Sequence, residues 1–168
     1  MSQLENVRML SRYSAWANDR LYETLANLPG HELLKPHPIV FGSILRTLNH
    51  VYVMDLVWQA HLRGTRHNFA TRNPKEHPPF AELRVAQNQL DRWYIEYSDD
   101  VQESSYGEIV NFTFIGGGSS SMSRGEILLH VINHTTYHRG HIGCMIYQLA
   151  AEPPTTDLPV FLRERAKV

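Results

Sequence analysis

The chain contains one cysteine, Cys144, in 168 residues. No internal disulfide can form, which excludes the small cystine-stapled domains of secreted proteins and makes a cytoplasmic location the expectation. No apolar run approaches the roughly 18 residues of a membrane-spanning helix, so no membrane partner is expected. The opening residues, Met1-Ser2-Gln3-Leu4-Glu5-Asn6, lack the basic-then-apolar order of a secretory signal. Positive charge is not in excess either. The 16 Lys and Arg stand against 17 Asp and Glu, for a formal net charge of −1. With no dense basic stripe to engage a phosphate backbone, no nucleic-acid partner is expected. There is no internal repeat and no long linker, so residues 1–168 read as a single domain.

What the chain has in quantity is histidine: ten residues, several of them clustered. Their meaning depends on the helices that carry them. Val7, Ser14, Ala17, Leu21, Leu25 and Leu28 recur at helical spacing, which predicts a first helix from about Leu4 to Leu28, stopped by Pro29-Gly30. A second runs from about Ser43 to Leu62, with Gly64 as its stop. A polar, proline-containing loop follows to Pro79. Pro78-Pro79 then opens a third helix, whose stripe is Leu83, Ala86, Leu90, Trp93, Tyr97 and Val101. Ile109 to Ile115 reads as a strand, and Gly116-Gly117-Gly118 as the turn of a small hairpin. Ser123-Arg124-Gly125-Glu126 matches a capping box and starts a fourth helix that reaches about Leu149. The expectation is an all-α fold, a four-helix bundle in up-down-up-down order with a short β-hairpin or strand before the last helix.

That last helix contains His130, His134, His138 and His141. His134 and His138 are spaced i, i+4 and share a face, the geometry by which one helix offers two imidazoles to one metal ion. His130 and His138 are about 12 Å apart along the axis, too far for one ion at bonds of about 2 Å. A third ligand must come from another helix. His50, inside the apolar second helix, is the first candidate, though a core histidine bonded to a neighbour reads equally well there. His61, near the end of that helix, and His67 and His77, in the loop, rank below it. His31 and His37 are expected to be exposed.

The residues then reach a family. Asn133-His134-Thr135-Thr136-Tyr137-His138-Arg139-Gly140 resembles the last-helix H-x-x-x-H-R-G-Q signature of the DinB-like, damage-inducible family. That family is related to the YfiT-type superfamily of metal-dependent hydrolases and thiol transferases. Tyr13-Ser14-Ala15-Trp16-Ala17-Asn18 resembles its first-helix pattern, and Leu48-Asn49-His50-Val51 the segment bearing its first metal histidine. The resemblance spans the chain in order. It implies a four-helix bundle, a three-histidine metal site on His50, His134 and His138, and a homodimer. One departure is His141, where the family has glutamine.

Three neutral imidazoles leave a divalent ion its full charge and an open position for water or a thiol. Zn, Ni and Fe all accept such a site. The expected function is a metal-dependent transfer of a low-molecular-weight thiol to a small electrophile. The alternatives are metal-dependent hydrolysis, for which His141 is the one candidate base near the motif, and a non-catalytic metal-binding stress protein. Asn49, Asn133 and Asp55 are candidates to orient the imidazoles, set against surface or core roles. Arg139 is expected to clamp an anion or pair with a carboxylate, and Gly140 to permit close packing. Trp16, Trp58 and Trp93 read as core, and Cys144 as an inert residue on the apolar side of its helix.

Overall fold

The computed structural model describes residues 2–149 and 151–166. It is mostly helical, with one two-stranded antiparallel sheet. Four long helices dominate: α1 (Gln3–Ala26), α2 (Ile44–Leu62), α3 (Phe80–Asp100) and α5 (Arg124–Gln148). Between α3 and α5 lie a short α4 (Glu103–Tyr106) and the strands β1 (Ile109–Thr113) and β2 (Ser119–Ser123). A final helix, α6 (Leu158–Arg165), follows.

Local chemistry fixes the helix ends. Ser2 and Glu5 form a capping box on α1, and Ser123 and Glu126 form one on α5. The Ser43 hydroxyl accepts from the Arg46 N–H at the start of α2. Gly64, just past its end, takes φ +66°, a conformation open to glycine. The β1–β2 register runs from Ile109 opposite Ser123 to Thr113 opposite Ser119. Gly116, Gly117 and Gly118 all have positive φ and turn the hairpin.

The order of the helices differs from the alternating one. Arg12 near the start of α1 pairs with Asp99 at the end of α3 (2.6 Å), so these two run antiparallel. Val7 clusters with Ile127, Leu128 and Val131, while Leu21 and Leu25 cluster with Ile142, Met145 and Ile146. Thus α1 and α5 run the same way. Leu45 and Leu48 share a cluster with Leu83, and Trp58 and Leu62 share one with Leu90 and Tyr94, so α2 and α3 are also parallel. The up-down-up-down expectation is therefore corrected to up-down-down-up. The physical reason is the segment 63–79. It returns along α2 before α3 begins, and Arg46, in the first turn of α2, donates to the carbonyls of Asn73, Pro74 and Lys75.

The buried line of α3 is Leu83, Gln87, Leu90, Tyr94 and Ser98, one position round from the stripe expected at Ala86, Trp93 and Tyr97. Polar pairing explains the rotation. The Gln87 amide, 1 % exposed, donates to Asp55 Oδ2 and Asp91 Oδ1, each at 3.0 Å. His37, expected to be exposed, is buried with its Nδ1 2.9 Å from Gln148 Oε1.

Close packing at a glycine occurs at Gly125, not at Gly140. A Cβ on Gly140 meets nothing, whereas one on Gly125 would overlap the Tyr106 ring of α4. Gly125→Ala is expected to cost about 1–3 kcal/mol, the usual range for overpacking. Chemical denaturation checks it, and a change below about 0.5 kcal/mol, the level of a neutral surface substitution, would contradict the clash.

Candidate metal centre

Because α2 and α5 pack antiparallel, His50 faces the i, i+4 pair of α5. His50 and His138 are each 5 % exposed, and His134 is partly buried. Ring centroids are 4.7 Å apart for His50 and His138, 5.1 Å for His50 and His134, and 4.5 Å for His134 and His138. One ring nitrogen from each lies within 4.8 Å of the others. His50 Nε2 and His134 Nε2 are 3.1 Å apart. Two nitrogens on one tetrahedral ion, at bonds of about 2.05 Å, stand about 3.3 Å apart. The spacing is therefore that of a ligand pair.

The tautomer of His50 is set from outside. Its Nδ1 is 2.9 Å from the Arg72 carbonyl, which can only accept, so Nδ1 carries the hydrogen and Nε2 presents its lone pair. The Nδ1 atoms of His134 and His138 are buried with no hydrogen-bond partner among the described residues. No described carboxylate or carbonyl therefore orients these two rings as the Arg72 carbonyl orients His50, and it is the convergence of the three imidazoles that points to an ion.

Electrostatics agree. Burial pushes His134 down to about 3, and the neighbouring His138, His50 and His130 add to the shift. Burial pushes His138 down to about 4, with His50 and His141 adding to it. His50 is lowered chiefly by burial too. All three are neutral at pH 7, the state in which imidazole ligates. Phe41 stacks on His50 at 4.0 Å and lies 5.5 Å from His138, keeping the cluster dry on that side.

The cluster opens into a cavity of about 1100 Å³. Val40, Phe41, Met54, Trp58 and Phe114 supply apolar wall, and Arg72 is the one formally charged residue among the described lining residues. His130, one turn from His134, and His141, 5.2 Å from His138, line the cavity outside the cluster. His61 and His67 pair with each other, centroids 5.4 Å apart, and stand apart from the cluster, as does His77.

Asn49, Asp55 and Asn133 take the core or surface role set against orienting the imidazoles, while Cys144 departs from expectation. Asn49 makes no hydrogen bond to an imidazole among the described residues. Its amide donates to Asn73 Oδ1 (2.9 Å), and the Asn73 amide donates to the Arg46 carbonyl (3.0 Å), so it pins the loop whose Arg72 carbonyl orients His50. Asp55 is held by Gln87 on the α3 side. Asn133 is exposed. Cys144 is also exposed and does not belong to the apolar face. Trp58 is buried as expected of a core residue, yet also lines the cavity. Arg139 clamps no cavity anion. It is buried between helices, where it donates to Asn18 Oδ1 (2.9 Å) and Thr136 Oγ1 (2.8 Å).

The contribution of Arg72 went unread because it acts through a backbone carbonyl, which has no residue signature. Phe41 had a signal: Ile39-Val40-Phe41 is an apolar triplet in an otherwise polar loop.

Comparison with known proteins adds to this geometry. The model of the DinB family matches residues 1–167. Protein DinB of Bacillus subtilis (strain 168) is 29 % identical over 159 residues, covering 91 % of each chain. The crystal structure of a DinB-like protein from Bacillus cereus ATCC 10987 superposes with a TM-score of 0.67 at 14 % identity, covering 86 % of this chain and 91 % of that one, a likeness of fold. On the family match across nearly its whole length, the chain belongs to the DinB family.

Proposed function

We propose that His50, His134 and His138 bind one divalent ion, of Zn, Ni or Fe type, within a single domain built as a four-helix bundle, and that the protein transfers a low-molecular-weight thiol to a small electrophile. The observation that carries this reading is the convergence of three neutral imidazoles, two buried and one partly buried, at the wall of a large cavity. An ion held there would supply Lewis acidity at an open position, which favours thiolate over thiol at neutral pH.

The chain's own residues do the rest. His50 is presented in one tautomer by the Arg72 carbonyl. Phe41 excludes water from its ring face. No carboxylate is among the described lining residues, and Arg72 is the one formally charged residue there, so the cavity does not repel an anionic reactant. The volume is large enough to admit a thiol and a small acceptor together.

Elemental analysis of untagged protein tests the site, with one divalent ion per chain expected. Simultaneous replacement of His50, His134 and His138 by alanine is expected to bring metal to background and abolish metal-dependent thiol addition to an electrophile panel. Metal content that survives the triple replacement overturns the site. A hydrolytic reading has one supporting observation, the His141 ring at the cavity wall 5.2 Å from His138. Ester hydrolysis lost in His141→Gln, without thiol transfer in the parent, would favour it.

A further inference from the structure

The cavity is apolar at its mouth as well as along its walls. Val40, Phe114 and Tyr137 all line it, yet they are 69 %, 50 % and 62 % exposed. Side chains that line a cavity with half or more of their surface accessible stand where it opens. The three come from different elements: Val40 from the loop before α2, Phe114 from the hairpin tip and Tyr137 from α5. Ile39 and Ile115, each partly buried, line the cavity next to Val40 and Phe114. Exposed hydrophobic residues scattered singly need no explanation, but a group gathered round one opening marks a binding surface.

This rim stands close to the three histidines. Val40 is followed by Phe41, whose ring stacks on His50 at 4.0 Å. The Tyr137 ring lies 5.0 Å from that of His138. Phe114 is 5.1 Å from Phe112, which is buried and packs against Trp58 at 4.9 Å, so the hairpin tip is rooted in the core. The histidine cluster therefore lies beside the opening. A molecule with one end at the histidines has its remainder between the rim side chains, which offer hydrocarbon and aromatic surface and no formal charge.

We propose that the rim is the seat of an apolar tail on the electrophile. The substrate class is then an uncharged electrophile whose alkyl chain reaches from the histidines out between Val40, Phe114 and Tyr137. This deepens the transferase reading and rests on it for the ligand's role as electrophile. Retention of the tail is a matter of contact at the rim, and binding alone reads it.

The probes are 1-butanol and 1-octanol, which share a head group and differ by four methylenes. Each is titrated by calorimetry into full-length protein as purified, with no thiol present. Each methylene that gains full burial tightens binding about 3- to 4-fold, so octanol is expected to bind at least about 10-fold more tightly than butanol. In the double variant Val40→Ser/Phe114→Ser that ratio is expected to fall at least about 3-fold, because the outer carbons of the chain return to water. Both positions are half or more exposed, so the core is untouched, and the ratio is internal to each protein. No binding of octanol, a smaller ratio in the parent, or a smaller fall in the variant overturns the proposal. Sedimentation of the two ligand-free proteins adds one outcome: an oligomer of the parent that is lost in the variant would make the rim the seat of a second copy and overturn it too. Metal-dependent thiol transfer without the octanol preference removes the rim seat alone. The expected preference without thiol transfer removes the transferase reading and, with it, the ligand's role as electrophile.

Discussion

Arg139→Ala is expected to lower the unfolding free energy of the metal-free protein by about 3–5 kcal/mol, the usual cost of removing one partner from a buried charged set. Arg139 is 7 % exposed and sits among groups that need it. It donates to Asn18 Oδ1, and the Asn18 amide donates to both oxygens of Asp91 (3.1 and 3.0 Å). Gln87 links Asp91 to Asp55, whose backbone carbonyl accepts from the Tyr94 hydroxyl at 2.6 Å. Burial raises both carboxyls, Asp91 to about 6 and Asp55 well above the ordinary range, and the Arg139 charge pulls each back down. Without it, two buried carboxylates lose their counter-charge.

The sign with pH follows. A carboxyl whose folded pKa is raised destabilises the fold as it ionises, so its favourable contribution is full below the ordinary carboxylate range and lost as pH rises through the folded value. The Arg139→Ala penalty should be largest above about pH 6, where Asp91 is ionised, and shrink in acid. Denaturation of the parent, Arg139→Ala and the double variant Arg139→Ala/Asp91→Asn measures this. The double variant should recover part of the loss. A penalty under about 0.5 kcal/mol, within the spread of ordinary surface substitutions, independent of pH, would show that the guanidinium does not compensate these carboxylates.

Metal affinity at the proposed site is expected to change less than about tenfold between about pH 7.5 and about pH 5.5. Three exposed histidines at their ordinary pKa of about 6.5 would lose roughly a thousandfold over that interval, because each must shed a proton to ligate. Here burial has already removed the protons: His134 is held at about 3 and His138 at about 4. For a base with a depressed folded pKa, the stability contribution is full above the unfolded value and is lost as pH falls through the folded one. Metal-free protein should therefore weaken as pH drops from about 6.5 toward these values, while metal retention persists well into that range. Competition titrations with a chelator at several pH values decide it. A steep, roughly thousandfold fall over the stated interval would mean that the imidazoles are as wet as free histidine.

The histidine cluster was legible because the i, i+4 rule places two rings on one face and forces the third ligand onto another helix. His50, inside the apolar second helix, ranked first among the histidines outside the last helix, and the fold brings it to the pair. Long helices were legible for a similar reason: caps and stripes are local. The parallel course of α2 and α3 was not, since the segment 63–79 has no period and its path is set by Arg46 reaching three carbonyls. The helix α6 escaped notice at eight residues, although Asp157 and Pro159 mark its start. Its place is fixed by distant partners: Phe161 against Tyr13 and Trp16, and Glu164 accepting from Trp16 and Arg20. The faces of Cys144 and Gly140 were not legible, because an i, i+4 pattern on a helix packed along two sides leaves the third face undetermined.

The return segment has a consequence for how this protein can change over time. Connecting loops ordinarily drift in length and sequence more freely than the helices they join. Here the stretch between Arg63 and Pro79 places a carbonyl on His50, and it does so with a backbone atom, whatever side chain residue 72 has. Side chains along the segment are free to vary so long as the Arg46 and Asn49 anchors persist, but its length before residue 72 is not: one residue gained or lost there moves the carbonyl off the ring. A histidine deep in a helix is thus tied to the residue count of an irregular loop, and alignments of related chains should show substitutions in that stretch far more often than gaps.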